Sequence, residues 1–393
     1  MDLPRLKLKK HEERRLKAGH AWVFANEVDT GATPLAGFEP GALAAVETAR
    51  GDPLGVAYVN PRTLIVARLL TRRADVAIDA DFVGRRIRRA LALRERLYPT
   101  PHYRLFFAES DGLPGLIVDR YGEHLVAHVT TAGMLALWPL VLEALVAAVK
   151  PAGVLLRTDG GHAELEGIEP RVEAAHGDVP GDVRVREGEL EFAVDPRGGQ
   201  KTGWFYDQRD NRLALPRYLG RGRMLDVCGY VGAFALQAAH AGAEEAMLLD
   251  RSADALERAG ANAERNGLSL LTAEAEAMDG MKQLHGDGEK FATVVLDPPA
   301  LIARKRDLEP GTLAYRRLIL AAANLVAPGG TLLACSCSQR FTREALVDGV
   351  RRAALKSGRS AQVLSVAGAG PDHPVHPAMP ETEYLKVAWV RFS

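Results

Sequence analysis

Cysteine is scarce. Cys228, Cys335 and Cys337 are the only three in 393 residues, too few for a disulfide framework in a chain of this size. Such usage fits a reducing compartment, the cytoplasm. Long apolar runs are missing as well. The longest, residues 134–149, is interrupted by Pro139 and Glu143 and falls short of the roughly 20 residues a membrane span needs. It predicts a buried helix and no membrane partner. The opening MDLPRLKLKKHEERRLKAG is basic but lacks the apolar core of a signal peptide. Net charge is absent too, with 50 Lys and Arg balanced by 50 Asp and Glu. Contact with a polyanion would therefore have to come from local basic patches.

What is present is a chain 47% apolar and 25% charged, the balance of a soluble globular protein, and long enough for two or three domains. Residues 1–73 read as short strands separated by turns, with LAAVE and PLGVAYVN flanking Gly51-Asp52-Pro53 and TLIVARLL beyond. Residues 1–17 hold seven Lys or Arg against three acids. Composition alone leaves a solvated strand face and a phosphate-touching β module equally open. Residues 74–180 read as a second, α+β domain: an arginine-rich helix from Asp79 to about Tyr98, closed by Pro99 and Pro101, then paired strands over 116–129 around Tyr121-Gly122, a helix, and a strand over 153–158. Residues 178–186, with Pro180 and Gly181, read as a linker, and EGELEFAVD as a hairpin opening a third domain over 181–393. There MLDVC, AMLLD, ATVVLD and TLLACS alternate with helical segments, the order of a parallel sheet covered by helices. Ser252 is a helix N-cap, and Asn266-Gly267 a stop. AQVLSVA and YLKVAWVRF suggest a closing antiparallel hairpin.

The third domain carries the chemistry. In LDVCGYVGAF, a strand ends at Asp226 and a turn holding Gly229 and Gly232 leads into a helix. Such glycines let a backbone approach a ligand closely, a geometry that dinucleotide enzymes share. Asp250 ends the next strand, where an acid can accept both hydroxyls of a ribose, or else serve as a charge at the following helix N-terminus. Glu276 follows the third strand, placed either for an adenine amino group or as a surface acid. After the fourth strand comes Asp297-Pro298-Pro299. A dehydrogenase has no need of it, whereas a rigid acceptor loop suits a planar, amine-bearing ring, because proline presets the backbone and removes competing N–H donors.

The fifth strand ends Cys335-Ser336-Cys337-Ser338. A thiolate can add to C6 of a pyrimidine and make C5 nucleophilic towards a sulfonium methyl. At an ordinary thiol pKa of about 8.5 only a minor fraction is ionised at neutral pH, so such a site must supply stabilisation or a base. Cys335, behind apolar residues, fits a small buried hydrophobe. Cys337, between two serines, does not. Cys335-x-Cys337 with His373-x-x-His376 has spacing unusual for structural zinc, and His373 reads instead as the anchor of a turn.

Together these residues resemble the bacterial 23S ribosomal RNA cytosine-5 methyltransferases that carry an N-terminal PUA domain. The resemblance runs through RRLKAGHAWVFANEV (14–28), AESDGLPGLIVDRYG (108–122), QKTGWFYDQRDNR (200–212), GYVGAF, DPPA, SCS and DHPV (372–375), in the family's order. It implies a C-terminal Rossmann-like class I methyltransferase domain with a mostly parallel sheet, an N-terminal PUA-like β domain and a middle α+β domain. The implied cofactor is S-adenosyl-L-methionine, framed by Asp226, Gly229, Tyr230 and Gly232. Arg209 would hold its carboxylate, Asp250 its ribose and Glu276 its adenine, with Asp297 beside the methyl group. Cys337 would be the nucleophile, and Lys201, Pro298 and Pro299 would contact substrate. The implied partner is ribosomal RNA (23S), gripped by the N-terminal module and the arginines of residues 85–96, with a homodimer left open.

The chain departs from the family's pattern at Ala300 and Leu301 and in VRVREGELEF, and its Asp-Pro-Pro loop lacks the second cysteine that many RNA cytosine-5 methyltransferases place there. The base that takes the C5 proton is therefore unassigned. Two rivals stay open: a guanine or exocyclic-amine methyltransferase with Cys337 incidental, and a non-catalytic ribosome assembly factor that keeps the cofactor fold.

Overall fold

The computed structural model describes residues 3–199 and 202–393. They divide into two compact units: Met1–Val183 with Asp195–Trp204 and Pro371–Thr382, and Arg184–Val194 with Phe205–Gly370 and Glu383–Ser393.

The first unit contains two five-stranded sheets. β1 (Arg5–Lys7), β2 (Trp22–Phe24), β3 (Leu43–Glu47), β4 (Pro53–Val59) and β5 (Ile65–Thr71) assemble in the order β1-β3-β4-β5-β2. β6 (His102–Phe107), β7 (Leu116–Tyr121), β8 (His124–Val129), β9 (Gly153–Arg157) and β10 (Val172–Gly177) assemble as β10-β9-β8-β7-β6. Buried polar side chains tie the two sheets together. Tyr58 on β4 bonds the Pro114 carbonyl and the Thr131 hydroxyl, each at 3.0 Å, and Arg68 on β5 pairs with Glu166 at 3.1 Å.

The arginine-rich helix spans Ala80–Leu97, with the Asp79 side chain accepting Phe82 N–H as its cap. Its arginines, expected together as an RNA grip over residues 85–96, do not share one environment. Arg94 is fully buried and forked onto Asp111 at 2.7 and 2.8 Å. Arg86 donates to the Gly112 and Leu70 carbonyls. Only Arg85, Arg88, Arg89 and Arg96 are exposed. The single helix expected over 134–149 is two, Ala132–Ala136 and Trp138–Val149, because Pro139 sits at the second helix's start, where its missing N–H costs nothing. Residues of DHPV anchor in this unit: buried Asp372 accepts Arg104 N–H at 3.0 Å and His373 Nδ1 at 2.8 Å, and His373 lies against Phe107.

From Arg184 on, β11 (Val183–Glu187) belongs to the second unit, as does β12 (Leu190–Val194). The hairpin thus begins inside the expected linker, where Val183 and Val185 alternate inward with exposed arginines. The main sheet follows: β13 (Arg223–Val227), β14 (Glu245–Asp250), β15 (Leu271–Glu274), β16 (Phe291–Leu296), β17 (Val326–Ser336), β18 (Ala361–Ala367) and β19 (Lys386–Phe392). Their order is β15-β14-β13-β16-β17-β19-β18. The first five are mutually parallel, while β19 runs antiparallel to both β17 and β18. Central strands such as β13 are apolar on both faces because helices cover both. β13 is also where the strand order reverses, and in open sheets of this kind ligands bind beyond the strand C-termini at that point.

Candidate active site

Beyond the C-terminal end of β13 the chain turns sharply. Cys228 and Tyr230 both adopt left-handed backbone, at φ 63° and 53°, and Gly232 follows at φ 79° as the N-cap of the Ala233–His240 helix. Gly229 lies between them with no room for a side chain: a Cβ would stand 2.3 Å from both Asp226 Oδ2 and Leu248 Cδ1. Asp250, at the end of β14, braces this turn, accepting Tyr230 N–H and Ser252 N–H, each at 3.0 Å.

Asp226 is wholly buried beneath the turn. Its Oδ2 accepts Ala235 N–H at 3.1 Å, and its Oδ1 has no hydrogen-bond partner among the described residues. Burial, with Asp297 and Asp250 adding repulsion, pushes its carboxyl up to about 8. The same causes raise the Cys228 thiol to about 12. Three carboxyls converging on one strained turn suit a ligand that brings positive charge and hydroxyls. Glu276 occupies the N-cap position of the Ala277–Gly286 helix without a side-chain cap bond; its side chain is largely exposed and 3.6 Å from Arg251.

Asp297 follows β16, its N–H held by the Val227 carbonyl at 3.2 Å. Gln208 Nε2 donates to Asp297 Oδ2 at 2.9 Å, and Asn211 Nδ2 to Gln208 Oε1 at 2.7 Å. Neither residue stands out in the sequence, although both lie in the QKTGWFYDQRDNR segment three positions apart, one helical turn. Arg209, in the same segment, is buried with its guanidinium over the Tyr206 ring. Lys201 lies outside the described residues.

The Asp-Pro-Pro loop meets the end of β17. Cys337 Sγ approaches the Pro298 carbonyl at 3.9 Å and is half-buried. Pro298 is buried and Pro299 exposed. Tyr315 ties the two segments, bonding the Ser338 hydroxyl at 2.8 Å and the Pro299 carbonyl at 3.3 Å. Cys335 is enclosed within the apolar core, and burial holds its thiol far above the ordinary range. Among the described residues no cluster of three or more His, Cys, Asp or Glu is arranged to hold a metal.

A PUA-like domain model matches residues 6–72, and an S-adenosylmethionine-dependent methyltransferase model matches residues 172–375. The chain belongs to the S-adenosylmethionine-dependent methyltransferases. Full-length relatives agree. A protein named ribosomal RNA large subunit methyltransferase I from Aeromonas salmonicida (strain A449) is 35% identical over 98% of this chain and 98% of its own. The protein of that name from Tolumonas auensis is 37% identical over 98% of each. Among solved structures, a Streptococcus mutans protein described as an S-adenosylmethionine-dependent methyltransferase superimposes with a TM-score of 0.84 at 18% identity, over 99% of this chain and 100% of that one. A methyltransferase complexed with SAH gives 0.85 at the same identity and coverage. These two share the fold. The methyltransferase's cofactor is S-adenosylmethionine, and the turn after β13, with its converging acids, fits that cation. No helix among the described residues is long and apolar enough to cross a membrane.

Proposed function

We propose that this methyltransferase acts in the cytoplasm on large-subunit (23S) ribosomal RNA, forming 5-methylcytosine through a Cys337 adduct. The observation that carries this reading is the approach of the Cys337 thiol to the Pro298 carbonyl at 3.9 Å, which sets a nucleophile beside the acceptor loop. The names of the full-length relatives support the RNA class. When bound, S-adenosylmethionine supplies an electrophilic methyl on a sulfonium.

The chain's residues divide the remaining work. Asp226, Gly229, Tyr230, Gly232, Asp250, Glu276 and Arg209 hold the cofactor. Pro298, Pro299 and Lys201 hold the flipped base, and unstacking it costs a few kcal/mol unless the RNA is already single-stranded. Asp297, kept in place by Gln208, hydrogen-bonds the ring. The Cys337 thiolate forms a C–S bond at C6, pushing the ring electron pair to C5. After C5 has gained its methyl group and lost its proton, the C–S bond breaks and the thiolate leaves.

Substrate RNA carrying 5-fluorocytosine at the target tests this. Fluorine cannot leave as a proton does, so elimination stalls. An adduct stable to denaturing electrophoresis should form with wild type and Cys335→Ala and be absent with Cys337→Ala. No adduct in any form, with methyl transfer from labelled cofactor still measurable, would mean an amine or guanine target. No adduct and no transfer would favour an assembly factor.

A further inference from the structure

β19 begins with a lysine that is only 4% exposed. A buried ammonium is costly unless its protons are satisfied. Those of Lys386 go to the main chain: Nζ donates to the Ser338 carbonyl at 2.7 Å, the Tyr384 carbonyl at 2.8 Å and the Gln339 carbonyl at 3.5 Å. Two of these acceptors are the residues that directly follow Cys337. The antiparallel register puts Lys386 opposite Ser336, which directly precedes it. The Ser338 hydroxyl is pinned in turn by Tyr315 and by Ile302 N–H. The thiol therefore stands on a segment clamped on both sides, with the ammonium bonded to the carbonyl of the very next residue.

We infer that Lys386 is a positioning residue for Cys337: its fixed ammonium anchors the main chain after the thiol and favours the thiolate over the thiol. With its protons committed to carbonyls it acts as a charge and not as a proton acceptor. Burial draws it down to about 8, so it is still charged at neutral pH. Other groups face the pair. Asp297, one residue before Pro298, opposes the thiolate, and Tyr315 and Cys335 are neutral at pH 7. Glu383 and Arg343 lie near Lys386 and pair with each other at 2.9 Å. The purpose of the arrangement rests on Cys337 being the nucleophile, but the charge effect can be measured without RNA.

The measurement is the pH profile of Cys337 alkylation by iodoacetamide in the full chain, read by peptide mass spectrometry. The wild-type midpoint should lie below that of an ordinary thiol, about 8.5. Lys386→Met should raise it by a pH unit or more, slowing alkylation at pH 7 about tenfold, while Lys386→Arg keeps most of the reactivity. A wild-type midpoint at or above 8.5 overturns the inference, even if Lys386→Met fails to fold. So does an unchanged midpoint in a Lys386→Met variant with intact circular dichroism. A lowered midpoint without 5-fluorocytosine trapping would defeat the cytosine C5 reading and leave this one standing. Trapping with an ordinary midpoint would do the reverse.

Discussion

At the scale of single residues, burial separates ionisable groups that look alike in the sequence. Cys335 and Cys337 are two positions apart, yet one is enclosed in the core and the other reaches the Asp-Pro-Pro loop. Asp226 is the sharper case. Its carboxyl is held up at about 8, against about 3.9 in an unfolded chain. Below about pH 4 both states carry the proton, and between about 4 and 8 only the folded state keeps it. Stability should therefore fall as pH rises through that window, by up to about 1.4 kcal/mol per pH unit. Asp226→Asn carries no such proton and should flatten the slope. Urea denaturation of the cofactor-free protein at pH 5.5 and 7.5 compares the two. Equal slopes would mean that the carboxylate is ionised in the folded chain. The place of Asp226 at a strand end beneath the turn is legible in the sequence, but the rise in its pKa is not, because that depends on burial and on Asp250 and Asp297 arriving from other strands.

At the scale of elements, the local code is legible where one element carries its own signals. Ser252 caps the Ala253–Arg265 helix by accepting Ala255 N–H, and Gly267 follows at φ 64°, as the side-chain types at those positions predict. The code misleads where a signal has two meanings. Pro139 reads as an interruption inside a helix, whereas it starts a second one. Pro180 and Gly181 mark a linker, yet the strand begins two residues later. The turn after β13 gives the prediction at this scale. Gly229→Ala would force a Cβ to within 2.3 Å of Asp226 and Leu248, and overpacking of this kind costs about 1–3 kcal/mol. The variant should unfold at lower urea and bind S-adenosylmethionine at least tenfold more weakly by calorimetry. Wild-type affinity would show that the turn tolerates a side chain and is not shaped around the ligand.

At the scale of the whole molecule, the proposed RNA substrate would have to be held through local patches, because the chain has zero net charge. Of the arginines on the Ala80–Leu97 helix, Arg85, Arg88, Arg89 and Arg96 are the exposed ones. Neutralising these four should flatten the slope of log K against log salt by roughly 0.7–0.9 for each phosphate that is no longer neutralised. Neutralising Lys9, Lys10 and Arg14 in the basic N-terminal stretch should act likewise. A slope unchanged by both sets would put the RNA elsewhere. By itself the sequence determined the kind of protein: strand and helix order, the glycine turn and the Asp-Pro-Pro loop all follow from local patterns and fixed spacings. Only tertiary structure decided which arginines are structural, that Gln208 holds Asp297, and that Lys386 stands by Cys337. Each of these pairings joins residues far apart in the chain, and burial and proximity are properties of the packed molecule that no local pattern encodes.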